Sequence, residues 1–152
     1  MKKYLAIILA SLILLSTVSL IAQSKKGLKA TQAWLKKLKG KEYTLAELKS
    51  LQELNLWHAK VTDSGLVYLK ELKTLKKLKL WGRKVTDSGL IHLKELKSLQ
   101  TLELIQTQVT DAGLAHLKEL KSLQTLNLGS TQVTDVGLRK LQKALPSCKI
   151  IR

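Results

Sequence analysis

The stretch LKKLKLWGRKVTDSGL, residues 75–90, holds two readings. Five of its first ten residues are basic and Trp81 sits among them, the texture of a polyanion groove. Its second half, VTDSGL, is a loop running into a helix start. The rest of the chain decides between them. V-T-D-x-G-L begins at Val61, Val85, Val109 and Val133, in steps of 24 residues. The frame L-x-x-L-x-L keeps the same step, at Leu51-Leu54-Leu56, Leu75-Leu78-Leu80, Leu99-Leu102-Leu104 and Leu123-Leu126-Leu128. The opening stretch is therefore the second of four copies of one unit, and each of its residues belongs to a column.

Each half of the unit has a physical reading. In L-x-x-L-x-L the closing leucines alternate with other residues, as a strand with one buried face requires. In the helix start, Thr62 suits the N-cap, Asp63 suits the positive end of the helix dipole, and Val61 with Leu66 fits a hydrophobic staple. Leu66, Leu69 and Leu72 then form an apolar stripe at helical spacing. Gly65, Gly89, Gly113 and Gly137 let each helix approach its neighbour closely. One unit cannot bury its own leucines, so the units must stack.

These motifs resemble the leucine-rich repeat family over residues 51–148, with the T-D-x-G-L helix start of a subgroup common in bacterial exported proteins. The resemblance implies a right-handed α/β solenoid, with a parallel β-sheet on the concave face and short helices on the convex face. It also implies a concave face that binds protein. The family's usual loop Asn or Cys is replaced by Ala59, Arg83, Thr107 and Thr131. The two threonines can satisfy loop backbone groups in its place, whereas Ala59 and Arg83 cannot.

Both ends depart from the period. Residues 1–24 open with Lys2 and Lys3, continue uncharged from Tyr4 to Ala22, and end in Gln23 and Ser24 before Lys25. That is the layout of a secretory signal cut after Ser24 or Ala22. An uncleaved anchor through residues 4–22 is the alternative, since about 20 apolar residues span a bilayer. Either form exports the remainder to the periplasm or beyond, or holds it on the inner membrane, which makes nucleic acid an unsuitable partner. Residues 25–50 form an N-terminal cap, with an amphipathic helix over 27–40 carrying Trp34, Leu35 and Leu38. Within it, TLAELKS at 44–50 matches the later half of a unit. At the other end Pro146 stops a helix and residues 149–152 add a capping strand.

The chain has 152 residues, a formal net charge of +16 from 27 Lys and Arg against 11 Asp and Glu, and a single cysteine. That charge favours anionic partners without choosing among them. Cys148, in the apolar LPSCKII, reads as a small buried hydrophobe. His92 and His116 share a helix-side column with Tyr68 and Lys140, a poor metal set, and the aspartate column 63/87/111/135 reads as capping rather than cation binding. No nucleophile stands beside a His and an acid, and no phosphate loop is present. Neither catalysis nor a cofactor is expected.

The candidate site is the outward face of the strands. Its central column is Trp57, Trp81, Ile105 and Gly129, flanked by Asn55, Lys79 and Glu103 and then by Glu53 and Lys77. Exposed Trp is typical of binding hot spots, although the two rings could instead pack on each other. Glu53 should neighbour Lys77, and Lys79 should neighbour Glu103, leaving Lys60, Lys76, Arg83 and Lys84 as a basic rim. The reading is an exported, monomeric, non-catalytic module holding a protein through Trp57, Trp81 and Ile105, with Asn55, Lys77, Lys79, Glu103 and Arg83 around them. The rival is a basic surface for lipopolysaccharide, acidic glycan or anionic membrane. A spacer without a partner is the third possibility.

Overall fold

The structure, a computed structural model, describes residues 2–152, with side chains at Ser19 and from Ile21 onward. The side chains of residues 2–18, and with them most of the expected signal or anchor, lie outside the described residues. Among the described residues no helix is long and apolar enough to cross a membrane.

The leucine frame produces a five-stranded sheet. Strands β1 (Glu53–Asn55), β2 (Lys77–Trp81), β3 (Thr101–Ile105), β4 (Thr125–Asn127) and β5 (Lys149–Ile151) pair in chain order, all parallel. The register advances by one unit at every step: Glu53 lies opposite Lys77, Lys77 opposite Thr101, and Thr101 opposite Thr125. Leu54, Leu78, Leu102 and Leu126 therefore stack inward and are fully buried, as are the leucines two residues further on.

The convex elements are α1 (Lys2–Lys39), α2 (Leu45–Ser50), α3 (Asp63–Leu66), α4 (Asp87–Leu90), α5 (Asp111–Leu114) and α6 (Asp135–Ala144). In the first three units the single expected helix is one α-turn that continues as 3₁₀ helix, over Val67–Glu71, Ile91–Glu95 and Ala115–Leu117. Leucine spacing explains this. Leu66, Leu69, Leu72 and Leu75 recur every third residue, and only a helix of three residues per turn keeps them on one face. In the last unit Leu138, Leu141 and Leu145 follow 3.6-residue spacing, and α6 is a regular α-helix of 10 residues ending before Pro146.

The units are also joined by side chains. The Asp63 carboxylate accepts hydrogen bonds from the Thr86 N–H at 2.8 Å and the Thr86 hydroxyl at 2.7 Å, both in the next unit. Asp87 does the same for Thr110, and Asp111 for Thr134, within 0.1 Å of those distances. The aspartates stand in the first turn of their helices, as expected, and three of them also brace the following unit. The glycines make room for them, since a Cβ on Gly113 would lie 2.2 Å from an Asp87 carboxylate oxygen. Thr62 opens the series and has no preceding aspartate. It makes no side-chain cap, contrary to expectation, and its hydroxyl pairs with that of Ser64 at 3.0 Å. The last aspartate, Asp135, pairs with Arg152.

The N-terminal cap replaces the missing neighbour. Leu28, Thr31 and Leu35 of α1 are buried at i, i+3 and i+7, while Trp34 and Leu38 are half-buried beside them. The Thr31 hydroxyl donates to the Tyr68 carbonyl at 2.7 Å, and Trp34 lies against Gly65, where the later units place an aspartate. α2 is fixed by a capping box between Thr44 and Glu47, the later half-unit expected over 44–50. Of the loop substitutes, Thr107 and Thr131 donate to Leu104 and Leu128 carbonyls at 2.9 and 2.7 Å, whereas Arg83 points into solvent.

Leu102→Ala at the middle of the stack is expected to cost about 2–5 kcal/mol in denaturant unfolding. Asp87→Ala should lower the thermal midpoint more than Asp135→Ala, because only the first leaves donors of a following unit unpaired. Bonding to the Thr134 hydroxyl and N–H holds the Asp111 carboxyl below its ordinary pKa. A lowered folded-state pKa contributes stability above the unfolded value of about 4 and loses it as pH falls through the folded one. Acid unfolding should therefore be less steep in Asp111→Asn, measured by circular dichroism between pH 6 and 2.

Candidate functional site on the concave face

The outward residues of the sheet divide by strand length. β2 and β3 have five residues, whereas β1 and β4 have three. The cause is local. Asn55 accepts the Trp57 N–H on its side-chain oxygen at 2.9 Å, and Asn127 accepts the Gly129 N–H at 3.0 Å. Such Asx turns curl the chain away from extended structure. Lys79 and Glu103 occupy the same position in β2 and β3, and those strands run on to Trp81 and Ile105. Trp57 is consequently the first residue of a turn, not a strand residue, and is 39% exposed. The Asn55 side-chain oxygen is committed to that turn.

Trp57 and Trp81 do not stack on each other. His58 stands between them, its ring edge-on to Trp57 with centroids 6.2 Å apart and tilted 49° to Trp81 at 5.8 Å. Its backbone is left-handed, with φ of 62°, as at Gly82, Gln106 and Ser130 in the equivalent loops. The turn swings the imidazole back between the indoles. His58 is the site residue missed in the sequence. The available signal was Gly82, which marks that column as one needing positive φ. Ile105, half-buried, lies opposite Trp81 in the β2–β3 register and extends the apolar surface.

Lys79 and Glu103 form the expected cross-strand ion pair at 3.2 Å. Glu53 and Lys77 are in register but are not within ion-pair distance, so both remain available at the sheet surface. The Lys79–Glu103 pair is half-buried and still open to water, so it contributes on the order of 1 kcal/mol and acts mainly to cancel local charge. Arg83 and Lys84 belong to the loop edge rather than to the strand face. The structure thus gathers Trp57, His58, Trp81 and Ile105 with Lys77, Lys79 and Glu103, and separates Arg83 from them.

Other singled-out residues lie elsewhere. His92 and His116 are half-buried on the convex side, and among the described residues no three His, Cys, Asp or Glu side chains converge. Cys148 is buried, and desolvation raises its thiol pKa, which disfavours the reactive thiolate.

A parallel sheet backed by short helices, repeated every 24 residues, defines a leucine-rich repeat solenoid. Comparison agrees, and the chain is a leucine-rich repeat protein. Residues 47–70 and 119–141 match the family model for a leucine-rich repeat. A leucine-rich repeat protein of Leptospira interrogans is similar in structure, with a TM-score of 0.55 and 30% identity over 71% of this chain and 27% of its own. Internalin C2 of Listeria monocytogenes gives a TM-score of 0.56 and 28% identity, covering 70% of this chain and 43% of its own. The chain thus spans less than half the length of either protein. No curated protein matches it. The leucine-rich repeat fold suggests a protein-interaction module.

Replacing Asn55 with Lys, the residue at that position in β2, should lengthen β1 toward Trp57. Slower amide hydrogen exchange at Trp81, whose N–H would gain the Leu56 carbonyl, would report it, with faster exchange at Trp57, whose N–H loses the Asn55 oxygen.

Proposed function

We propose that the chain is an exported, non-catalytic binding module that holds a protein partner on its sheet face. The observation that carries this reading is the Trp57–His58–Trp81 cluster, continued by Ile105 and open to solvent at the sheet surface. Two indoles held by a histidine are pre-ordered, so a partner covering them loses little side-chain freedom, and Trp is the commonest hot-spot residue. Lys77, Lys79 and Glu103 then fix the orientation of that partner through charge.

Export is supported by the layout of residues 1–24 and by the position of the core. Residues 21–26 are exposed, and Leu28 is the first buried side chain among the described residues. Removal of residues 1–24 therefore leaves that core intact. Mass spectrometry of the envelope fraction is expected to find a mature chain starting at Gln23 or Lys25. A chain retaining Met1 would mean anchoring through residues 4–22 instead.

The binding test is capture of partners from envelope extract by wild type and by Trp57→Ala/Trp81→Ala. Loss of two hot-spot residues should weaken binding at least about 30-fold, from about 2 kcal/mol or more. Undiminished capture by the folded double variant would remove the concave site.

A further inference from the structure

We propose that the loop edge of the solenoid, which adjoins the sheet face at His58, is a binding site for an acidic polysaccharide. The edge is built from four equivalent turns, His58-Ala59-Lys60, Gly82-Arg83-Lys84, Gln106-Thr107-Gln108 and Ser130-Thr131-Gln132, and none contains an acid. Lys60, Arg83 and Lys84 are exposed there. Among the described residues none of these three cations forms an ion pair, and the Asp63 carboxylate is held on Thr86 of the next unit. Positive charge therefore predominates within these turns, unlike on the convex face, where Glu71, Glu95 and Glu119 separate the lysines and Lys73 pairs with Glu95.

Two grooves run into this edge. One, of about 590 Å³, lies between cap and first unit and is lined by Trp34, Tyr68, Lys37, His58 and Lys60. The Trp34 and Tyr68 rings are 5.7 Å apart and inclined by 30°, an aromatic wall with two cations beside it. The other, of about 480 Å³, lies over the later turns between Arg83, Gln106, Gln108, Ser130 and Gln132. Every side chain lining it ends in an amide, hydroxyl or guanidinium group. Pockets of a few hundred cubic ångströms hold groups the size of one or two sugar rings.

This chemistry selects among anionic ligands. A protein interface needs an apolar centre, which the second groove lacks. A bilayer needs exposed apolar side chains for insertion, and none stands on these turns. A chain of sugar rings bearing carboxylates and hydroxyls uses all that is present: cations for its charges, amides for its hydroxyls, and aromatic faces for its rings. Because equivalent turns are one strand spacing apart, about 4.8 Å, the edge offers a linear ligand several successive contacts.

The test is calorimetric titration of the full-length protein with an oligogalacturonate. Comparison titrants are a neutral oligosaccharide of equal length, polyglutamate, and vesicles of phosphatidylglycerol. The variants are Lys60→Gln/Arg83→Gln/Lys84→Gln, Gln106→Ala/Gln108→Ala, and Lys70→Gln/Lys94→Gln/Lys118→Gln, the last removing as much charge from the convex face. Oligogalacturonate is expected to bind more tightly than the other three. The loop-edge triple variant should lose tenfold or more, the glutamine variant several-fold, and the convex variant less than twofold. Ile105→Ala, on the sheet face and lining neither groove, should bind it as wild type does, which separates this site from the protein site. Equal losses in the two triple variants, or polyglutamate or vesicles bound as tightly as the uronate, would overturn the proposal. The replaced Lys, Arg and Gln side chains are exposed, and matching thermal midpoints establish that all the variants are folded.

Discussion

Everything in this molecule depends on the contact between one unit and the next, and its most specific element is the carboxylate placed on the following threonine. Leucine burial supplies most of the stacking free energy but is non-directional, and leucines in identical columns could slide. A carboxylate that receives both an N–H and a hydroxyl from one residue has a single satisfactory position. Asp63, Asp87 and Asp111 each take that position, and the glycine beside each threonine leaves the space for it. The V-T-D-x-G-L phrase is thus a joint between units as well as a helix start. Thr and Gly receive the previous aspartate, and Asp is delivered to the next threonine.

A joint of this kind leaves an unmatched half at each end. The first unit has Thr62 and Gly65 with no aspartate before them, and α1 lays Trp34 over Gly65 instead. The last unit has an aspartate with no threonine after it, and Arg152 pairs with it. The two ends are closed by different means because different halves of the joint are exposed. A glycine surface accepts a flat aromatic ring, whereas a carboxylate requires a cation. Lys39 donates to the Asn55 carbonyl beside β1, so the cap also meets an edge of the sheet that would otherwise invite another strand.

Most of the architecture was legible because it repeats. A period of 24 residues fixes the register of every strand pair, and the buried leucines fall where alternation places them. What was not legible depends on single atoms across the stack. The Asp63–Thr86 bond links residues 23 apart, and no local rule distinguishes it from helix capping. The 3₁₀ extensions could have been read from the three-residue leucine spacing, but a stripe at i and i+3 also fits an α-helix. At the site, Trp81 opposite Ile105 and Lys79 beside Glu103 were legible from register. Register offered Glu53 and Lys77 equally, but they do not pair, and Trp57 leaves the strand at the Asn55 turn. His58 was not legible, since its placement follows from the Asn55 turn and a left-handed residue together.

Repetition also indicates where function should be sought. Residues that recur in every unit are accounted for by stacking: the leucines by the core, the Thr-Asp-Gly triplet by the joint. They carry no information about a partner, because any partner would meet the same surface four times. Distinctive chemistry must come from positions where the columns break. The sheet column breaks from Trp57 and Trp81 to Ile105 and Gly129, and the loop column from Lys60 and Lys84 to Gln108 and Gln132. Both change between the second and third units, from aromatic to aliphatic on one face and from cationic to neutral on the other. A ligand aligned with the solenoid axis would therefore meet a gradient rather than a uniform surface. For the two proposed ligands, such gradients would set direction: the protein with its aromatic-binding end, and the polysaccharide with its more anionic end, toward the N-terminal cap.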